Sequence, residues 1–370
     1  MRQRVWNWFA AIGMATCLIP SQATELRAAG HTVVDKRVSD YVDALMQRHS
    51  VVGAAVAIVH KGKVIHRSFH GLADRATKVP VGEKTLFRIF SMTKIVVATA
   101  VMKLIEDKKL SLETKVGEIL VELPSAWQDV RIKHLLSHSS GLPEIQRHFR
   151  LPESEARANV YKEPVMSPPG QRFQYNQTNY WLLQRVIQQV SGAKFREYIF
   201  RSQFGSQRPS VVFCGNFYAD IPDRSQSYFP DAVLPEQKYD YLDAGNGLNV
   251  TLDELVAWNL RLDRHGLLSP TTKQLMWGKF DYRLPADFGL GWRRVEQDDG
   301  TSVGFSGSGV TVLRKFPRRD LTVVFLGNGF QTRIPLSQVV ADLAALVRSS
   351  RQPQPESRDD NAAESKKKRN

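Results

Sequence analysis

The chain has 370 residues, 42% hydrophobic and 24% charged, the balance of a globular protein long enough to bury a large core as one domain or two interleaved ones. That balance excludes a disordered or fibrous chain. The net charge of +14 suits the anionic polymers or lipids of a cell envelope, but no basic block interleaved with aromatics points to nucleic acid, which is not expected as a partner.

The N-terminus reads as a secretory signal peptide over residues 1–23, followed by a linker over 24–36. Arg2 and Arg4 form a basic start. Residues 5–20 are mostly apolar but short for a membrane span, and Ser21-Gln22-Ala23 offers a small-x-small cleavage site. An exported protein, periplasmic or extracellular, is therefore expected, with no transmembrane helix in its mature form. Asn7 and the short run disfavour an uncleaved anchor. A lipid anchor at Cys17 is also disfavoured, because Met14-Ala15-Thr16 is a poor lipobox. Cleavage leaves Cys214 alone, so no internal disulfide is expected. In Val211-Val-Phe-Cys214 that cysteine reads as a small buried hydrophobe.

A single domain is expected over residues 37–349. Val38, Tyr41, Val42, Leu45 and Met46 recur at helical spacing, so 36–49 reads as an amphipathic helix. Two β-type runs, 53–59 and 64–69, flank the Gly-containing turn 60–63 as a hairpin. A strongly apolar helix follows Ser91. Residues 111–240 change character: β-branched runs are scarce, and 134–143 and 180–190 read as helices, so an inserted, mainly helical lobe is expected. After 240, Leu252 to Leu262 reads as a helix, Phe288-Gly-Leu-Gly-Trp292 as the start of a strand, and 309–314 with 321–326 as a hairpin. Residues 335–347 close the chain as an amphipathic helix, and 350–370 read as a disordered basic tail. The fold class expected is α/β (α+β). An antiparallel sheet from about 37–110 and 241–349 is covered by the N- and C-terminal helices, and the helical lobe spans about 111–240.

Three clusters could carry chemistry. In Ser91-Met-Thr-Lys94 the lysine sits one helical turn after the serine, on the same face. A buried amine would lose its charge and could take the serine proton, and helix-start N–H groups would favour an oxyanion. A capping serine with a solvated lysine gives the same pattern. In Tyr175-Asn176-Gln177 a phenol stands in a turn before a helix, able to relay protons or simply to pack. In Phe305-Ser306-Gly307-Ser308-Gly309 small residues would let a substrate approach the backbone closely, or make an ordinary glycine-rich turn.

Together with Ile132-Lys-His-Leu-Leu-Ser-His-Ser-Ser-Gly-Leu-Pro143, Ala244-Gly-Asn-Gly-Leu-Asn-Val250 and Phe288-Gly-Leu-Gly-Trp292, these clusters resemble the serine β-lactamase and penicillin-binding-protein superfamily. The likeness is to its class C-like branch, with D-alanyl-D-alanine peptidases and carboxylesterases, and covers roughly residues 37–348. It implies an acyl-enzyme hydrolase in which Ser91 attacks, Lys94 accepts its proton and Tyr175 relays protons. The N–H groups of Ser91 and Ser308 would hold the oxyanion, Gln177 would orient substrate or Lys94, and Phe305, Ser306 and Gly307 would line the substrate. His134 and His138 are read as structural. The resemblance calls for no metal or organic cofactor. Its substrates would be small esters, amides or β-lactams, with peptidoglycan fragments as a further possibility. Two positions depart from the pattern. Gln177 stands where the family has Asn, and Phe305 where it has Lys or His. Loss of that cation tilts the expectation towards esters and small amides. A β-lactamase or carboxypeptidase proper, and a non-catalytic envelope-binding relative, are the alternatives.

Overall fold

The computed structural model describes residues 22–214, 219–228, 240–284, 286–298, 300–329 and 334–349. The expected tail, and all but the end of the expected signal peptide, lie outside them.

Seven antiparallel strands form the main sheet, in the order β3-β2-β1-β10-β9-β8-β7. They are β1 (Gly53–His60), β2 (Lys63–Asp74), β3 (Val79–Pro80), β7 (Arg293–Val295), β8 (Ser302–Gly307), β9 (Thr311–Phe316) and β10 (Leu321–Gly327). The central pair joins the two ends of the chain, with Ala54 opposite Gly327 and His60 opposite Leu321. β1 and β10 read as unbroken apolar runs because both faces of the sheet are covered. Ala54, Val56, Ile58, Val323 and Phe325 pack under the helices α1 (Gln22–His49) and Leu336–Ser349, with Val38, Val42, Val339 and Leu343. Ala55, Ala57, Val59, Val324 and Leu326 face the other way, towards α2 (Thr93–Glu106) and the lobe. The architecture is the expected α/β sheet with flanking terminal helices and a helix-rich lobe between its two sets of strands.

Several expectations need correction. The first helix begins at Gln22, so residues 24–36, expected as a linker, are helical. Glu25-Leu-Arg-Ala-Ala29 favours helix, and no proline interrupts it. Phe288-Gly-Leu-Gly-Trp292 is a loop, and the strand starts only at Arg293. Gly291 has φ +85°, a left-handed turn that ends any extended run there. Residues 302–307 form a strand, and the glycine-rich turn comes only after it. The lobe also contributes β5 (Val211–Phe213), which pairs with β6 (Leu248–Val250), and β6 pairs with β4 (Phe87–Arg88). Cys214, just after β5, is only half-buried. No helix among the described residues is long and apolar enough to cross a membrane.

Candidate active site

Ser91 lies in a single 3-10 turn, Phe90–Met92, that runs straight into α2. Phe90 before it has φ +49°, a costly conformation for an aromatic residue. Its burial in the cluster under the terminal helices holds it there. Ile89 donates its N–H to Leu248 O at 3.0 Å and accepts from Met92 N at 3.0 Å, which fixes the turn on β6.

α2 is buried nearly all round, from Thr93 to Met102. Lys94 is therefore completely enclosed, at 0% exposure. Its Nζ donates to Gln177 Oε1 at 2.9 Å and to Gly245 O at 2.7 Å. Burial lowers the amine to about 7, and the Glu144 carboxylate partly opposes that shift. A neutral amine has two N–H groups and one lone pair. Both N–H groups have acceptors here, so the lone pair is left to receive a proton. Gly245 permits this contact, since a Cβ there would overlap Gln177 Oε1.

The hydroxyl of Ser91 is hydrogen-bonded to Tyr175 Oη at 2.8 Å. Tyr175 lines the cleft and leaves 40% of its surface exposed. Burial pushes the phenol up to about 12, partly offset by its hydrogen bond to Ser91. Near neutral pH Tyr175 is thus a proton-carrying phenol and Lys94 the group poised to take a proton. The Lys94 ammonium position lies 4.9 Å from the Tyr175 ring centre and 5.1 Å from that of Tyr180. The backbone N–H of Gln177 is held by both Glu144 oxygens, at 3.1 and 2.9 Å, so Glu144 fixes the residue that fixes Lys94.

His138 forms the floor. Its ring centre lies 4.5 Å from that of Tyr175 and 5.3 Å from that of Tyr180. Nδ1 accepts from Asn179 Nδ2 at 3.0 Å, which places the ring proton on Nε2. Burial, and then Lys94, keep it well below the usual histidine range, so it is a neutral aromatic platform. His134 Nδ1 accepts the Arg131 N–H at 3.1 Å and caps the short helix Ile132–Leu136.

The third cluster borders the same cleft. Thr311 Oγ1 lies 3.2 Å from Ile89 O and 3.3 Å from Gly307 O, tying the Ser91 turn to the end of β8. Gly307 packs so closely on Ile89 O that no side chain would fit. Ser308 follows in the β8–β9 turn at φ +49°, exposed to solvent. Phe305 does not project into solvent. It is 8% exposed, stacked 6.3 Å from Tyr175 and edge-on to Phe288 at 5.8 Å. A cavity of about 460 Å³ opens between Ser91, Phe173, Tyr175, Phe288, Phe305 and Ser306, with Ala286, Asp287 and Arg293 completing its wall.

Ser91, Lys94, Tyr175 and Gln177 are thus brought into one hydrogen-bonded group, and Phe305, Ser306 and Gly307 stand on its border. Gly245, Glu144, Tyr180, Phe173 and Arg293 were not singled out from the sequence. Only Gly245 had a signal, inside the Ala244-Gly-Asn-Gly stretch.

The fold is of the β-lactamase and transpeptidase type. Residues 38–346 match the family model described as Beta-lactamase, and the chain belongs to that family. Penicillin-binding protein 4* of Bacillus subtilis is 25% identical over 331 residues, 79% of this chain and 71% of that one. Esterase EstB of Burkholderia gladioli is 37% identical over 111 residues, 29% of this chain and 28% of its own length. The solved penicillin-binding protein homologue from Pyrococcus abyssi superposes with a TM-score of 0.72 at 24% identity, over 85% of this chain and 77% of that one, a likeness of fold.

Proposed function

We propose that the protein is an exported serine hydrolase that works through an acyl-enzyme, with esters and small amides as its substrates. The observation that carries this reading is the Ser91–Tyr175 hydrogen bond of 2.8 Å beside an enclosed Lys94 whose amine is lowered to about 7. Packing alone does not ask for a lysine in a helix otherwise buried among apolar residues, because burying the charge is costly.

In this mechanism Ser91 Oγ forms the bond to the substrate carbonyl carbon, and its proton passes to the Lys94 amine. Tyr175 gives its proton to the leaving group as the tetrahedral species collapses, and regains one from Lys94. Water then attacks the acyl-enzyme with the same groups in reverse order. The N–H groups of Ser91 and Ser308 receive the oxyanion. The aromatic wall of the cleft favours an apolar acyl or aryl group over a small polar one. The open cavity at Ser91 speaks against a decayed, purely binding relative, whose cleft would be filled.

The test is the intact mass of wild type and Ser91→Ala after exposure to an activated short-chain ester and, separately, a penicillin, with product release followed in parallel. An adduct or product with wild type alone is expected. Undiminished turnover by Ser91→Ala would refute the assignment. An adduct with penicillin and not with ester would favour a β-lactamase or carboxypeptidase over an esterase. Sequencing the N-terminus of the mature protein tests export: cleavage near Ala23 is expected.

A further inference from the structure

Part of the +14 net charge is gathered at one end of the main sheet, away from Ser91, where three turns meet. The β1–β2 turn rests on the β9–β10 turn, Lys61 donating its N–H to Asp320 O at 2.8 Å. Arg264, just after the helix Leu252–Asp263, donates from Nη2 to Gly62 O at 2.9 Å. β9 runs from Thr311, tied to the Ser91 turn, to Phe316 at this end, roughly 17 Å along the strand. The cleft and the three turns thus lie at opposite ends of one strand.

Two adjoining cavities, of about 300 and 630 Å³, open between these turns and the helix Pro270–Trp277. They share His265, Lys273, Trp277 and Pro317, as sections of one groove. Lys273 and Lys315 form its floor, 6% and 3% exposed. Lys315 pairs with Asp263 at 2.7 Å. Lys273 donates to the carbonyls of Leu262 and Asp263 at 2.8 and 3.1 Å, and has no carboxylate within ion-pair distance among the described residues. Burial pushes both amines down, and an anion in the groove would oppose that shift. Trp277 stands on the wall of both cavities, and its indole N–H is buried without an acceptor among the described residues. Lys61, Lys63, Arg264 and Arg318 are exposed at the rim. Among the described residues none of these four has a carboxylate within ion-pair distance. Of the carboxylates on the groove wall, Asp263 is engaged by Lys315 and Glu296 by Arg294 at 2.8 Å, which leaves Asp320.

Donors that converge from three turns match a group with acceptor oxygens on several sides, as a phosphate has, better than a planar carboxylate, which fits a single fork. Cations at the floor as well as the rim call for a chain that can enter the groove. A flat lipid surface would meet the rim alone. We propose that this groove binds a linear, phosphate-rich polymer without bases, holding the protein on it while the cleft at the other end stays open. The inference is independent of the serine-hydrolase reading.

The experiment measures binding of long-chain inorganic polyphosphate to the full-length protein over a series of salt concentrations. Wild type is compared with the triple variant Lys61→Gln, Arg264→Gln, Arg318→Gln. Phosphatidylglycerol vesicles and single-stranded oligothymidine are run beside the polyphosphate. Wild type is expected to bind polyphosphate with an affinity that falls as salt rises. The variant should bind at least about tenfold more weakly and with a shallower salt dependence. Lysine acetylation read by mass spectrometry gives a second measurement on wild type alone. Polyphosphate should protect Lys61 and Lys63 and leave Lys84 and Lys194, exposed elsewhere, reactive. Equal binding by the triple variant, or protection spread evenly over the exposed lysines, would assign the binding to the basic tail or to charge in general and overturn the proposal. Tighter binding per phosphate to vesicles or to oligothymidine would overturn it too, as would no polyphosphate binding at physiological salt.

Discussion

Lys94 and Glu144 together set the pH at which the cleft can work. The proposed mechanism needs the Lys94 amine uncharged, and burial brings that group to about 7. Activity is therefore expected to rise with pH through about 7 and to be lost as the amine gains a proton below it. Tyr175, raised to about 12, sets no alkaline limit in the ordinary range. Glu144 favours the charged amine, so Glu144→Gln lowers the Lys94 pKa and shifts the acid limb of the kcat/KM profile to lower pH, by about half a unit to one unit. A profile with an ester substrate checks this, and a shift to higher pH would contradict it. At this scale the Ser91–Lys94 pair was legible because helical periodicity alone dictates their common face. Tyr175 and Gln177 needed the resemblance, since nothing local says where a turn residue points. Glu144 left no local trace, because its contact with Gln177 joins segments far apart in the chain.

At the scale of elements, Thr311 makes the cleft one object. Its hydroxyl bridges carbonyls of the turn before α2 and the end of β8. Both carbonyls keep a second partner, Met92 N for Ile89 and Val310 N for Gly307, each at 3.0 Å. Thr311→Val keeps the strand shape and is expected to cost only about 1 kcal/mol of stability. It should lower kcat at least tenfold, because the Ser91 and Ser308 turns lose their common tether. Thermal melts and ester kinetics on one preparation distinguish the two effects. The hairpins of the main sheet and the closing helix could be read from apolar runs and helical spacing. The loop 288–292 could not. Trp292 is apolar because it stacks on Trp258, ring centres 6.4 Å apart, and not because it alternates in a strand. The strands β4, β5 and β6 have two or three residues each, too short for any alternation to show.

For the whole molecule, the two-faced sheet makes both terminal helices part of the core. Removing Leu336–Ser349 would uncover Val323, Phe325, Val56 and Ile58 and discard Val339, Val340, Leu343 and Val347. At about 1.5–3 kcal/mol for each lost apolar side chain, these four alone come to about 6–12 kcal/mol, comparable with the roughly 5–15 kcal/mol that stabilises a domain. A chain ending at residue 334 is expected to be insoluble or to show no cooperative melt, checked by expression and circular dichroism. The central pairing of β1 with β10 has a temporal consequence. The middle of the sheet joins residues 53–60 to 321–327, so β1 must wait for almost the entire chain before its partner exists. At roughly 5–20 residues per second, a ribosome leaves β1 unpaired on that side for about 13–50 s. The closure of so long a loop then makes the last step slow as well. During that interval the apolar run Ala54-Ala-Val-Ala-Ile-Val59 is an open edge, and a chaperone that shields it would govern the yield of folded protein more than any residue in the cleft.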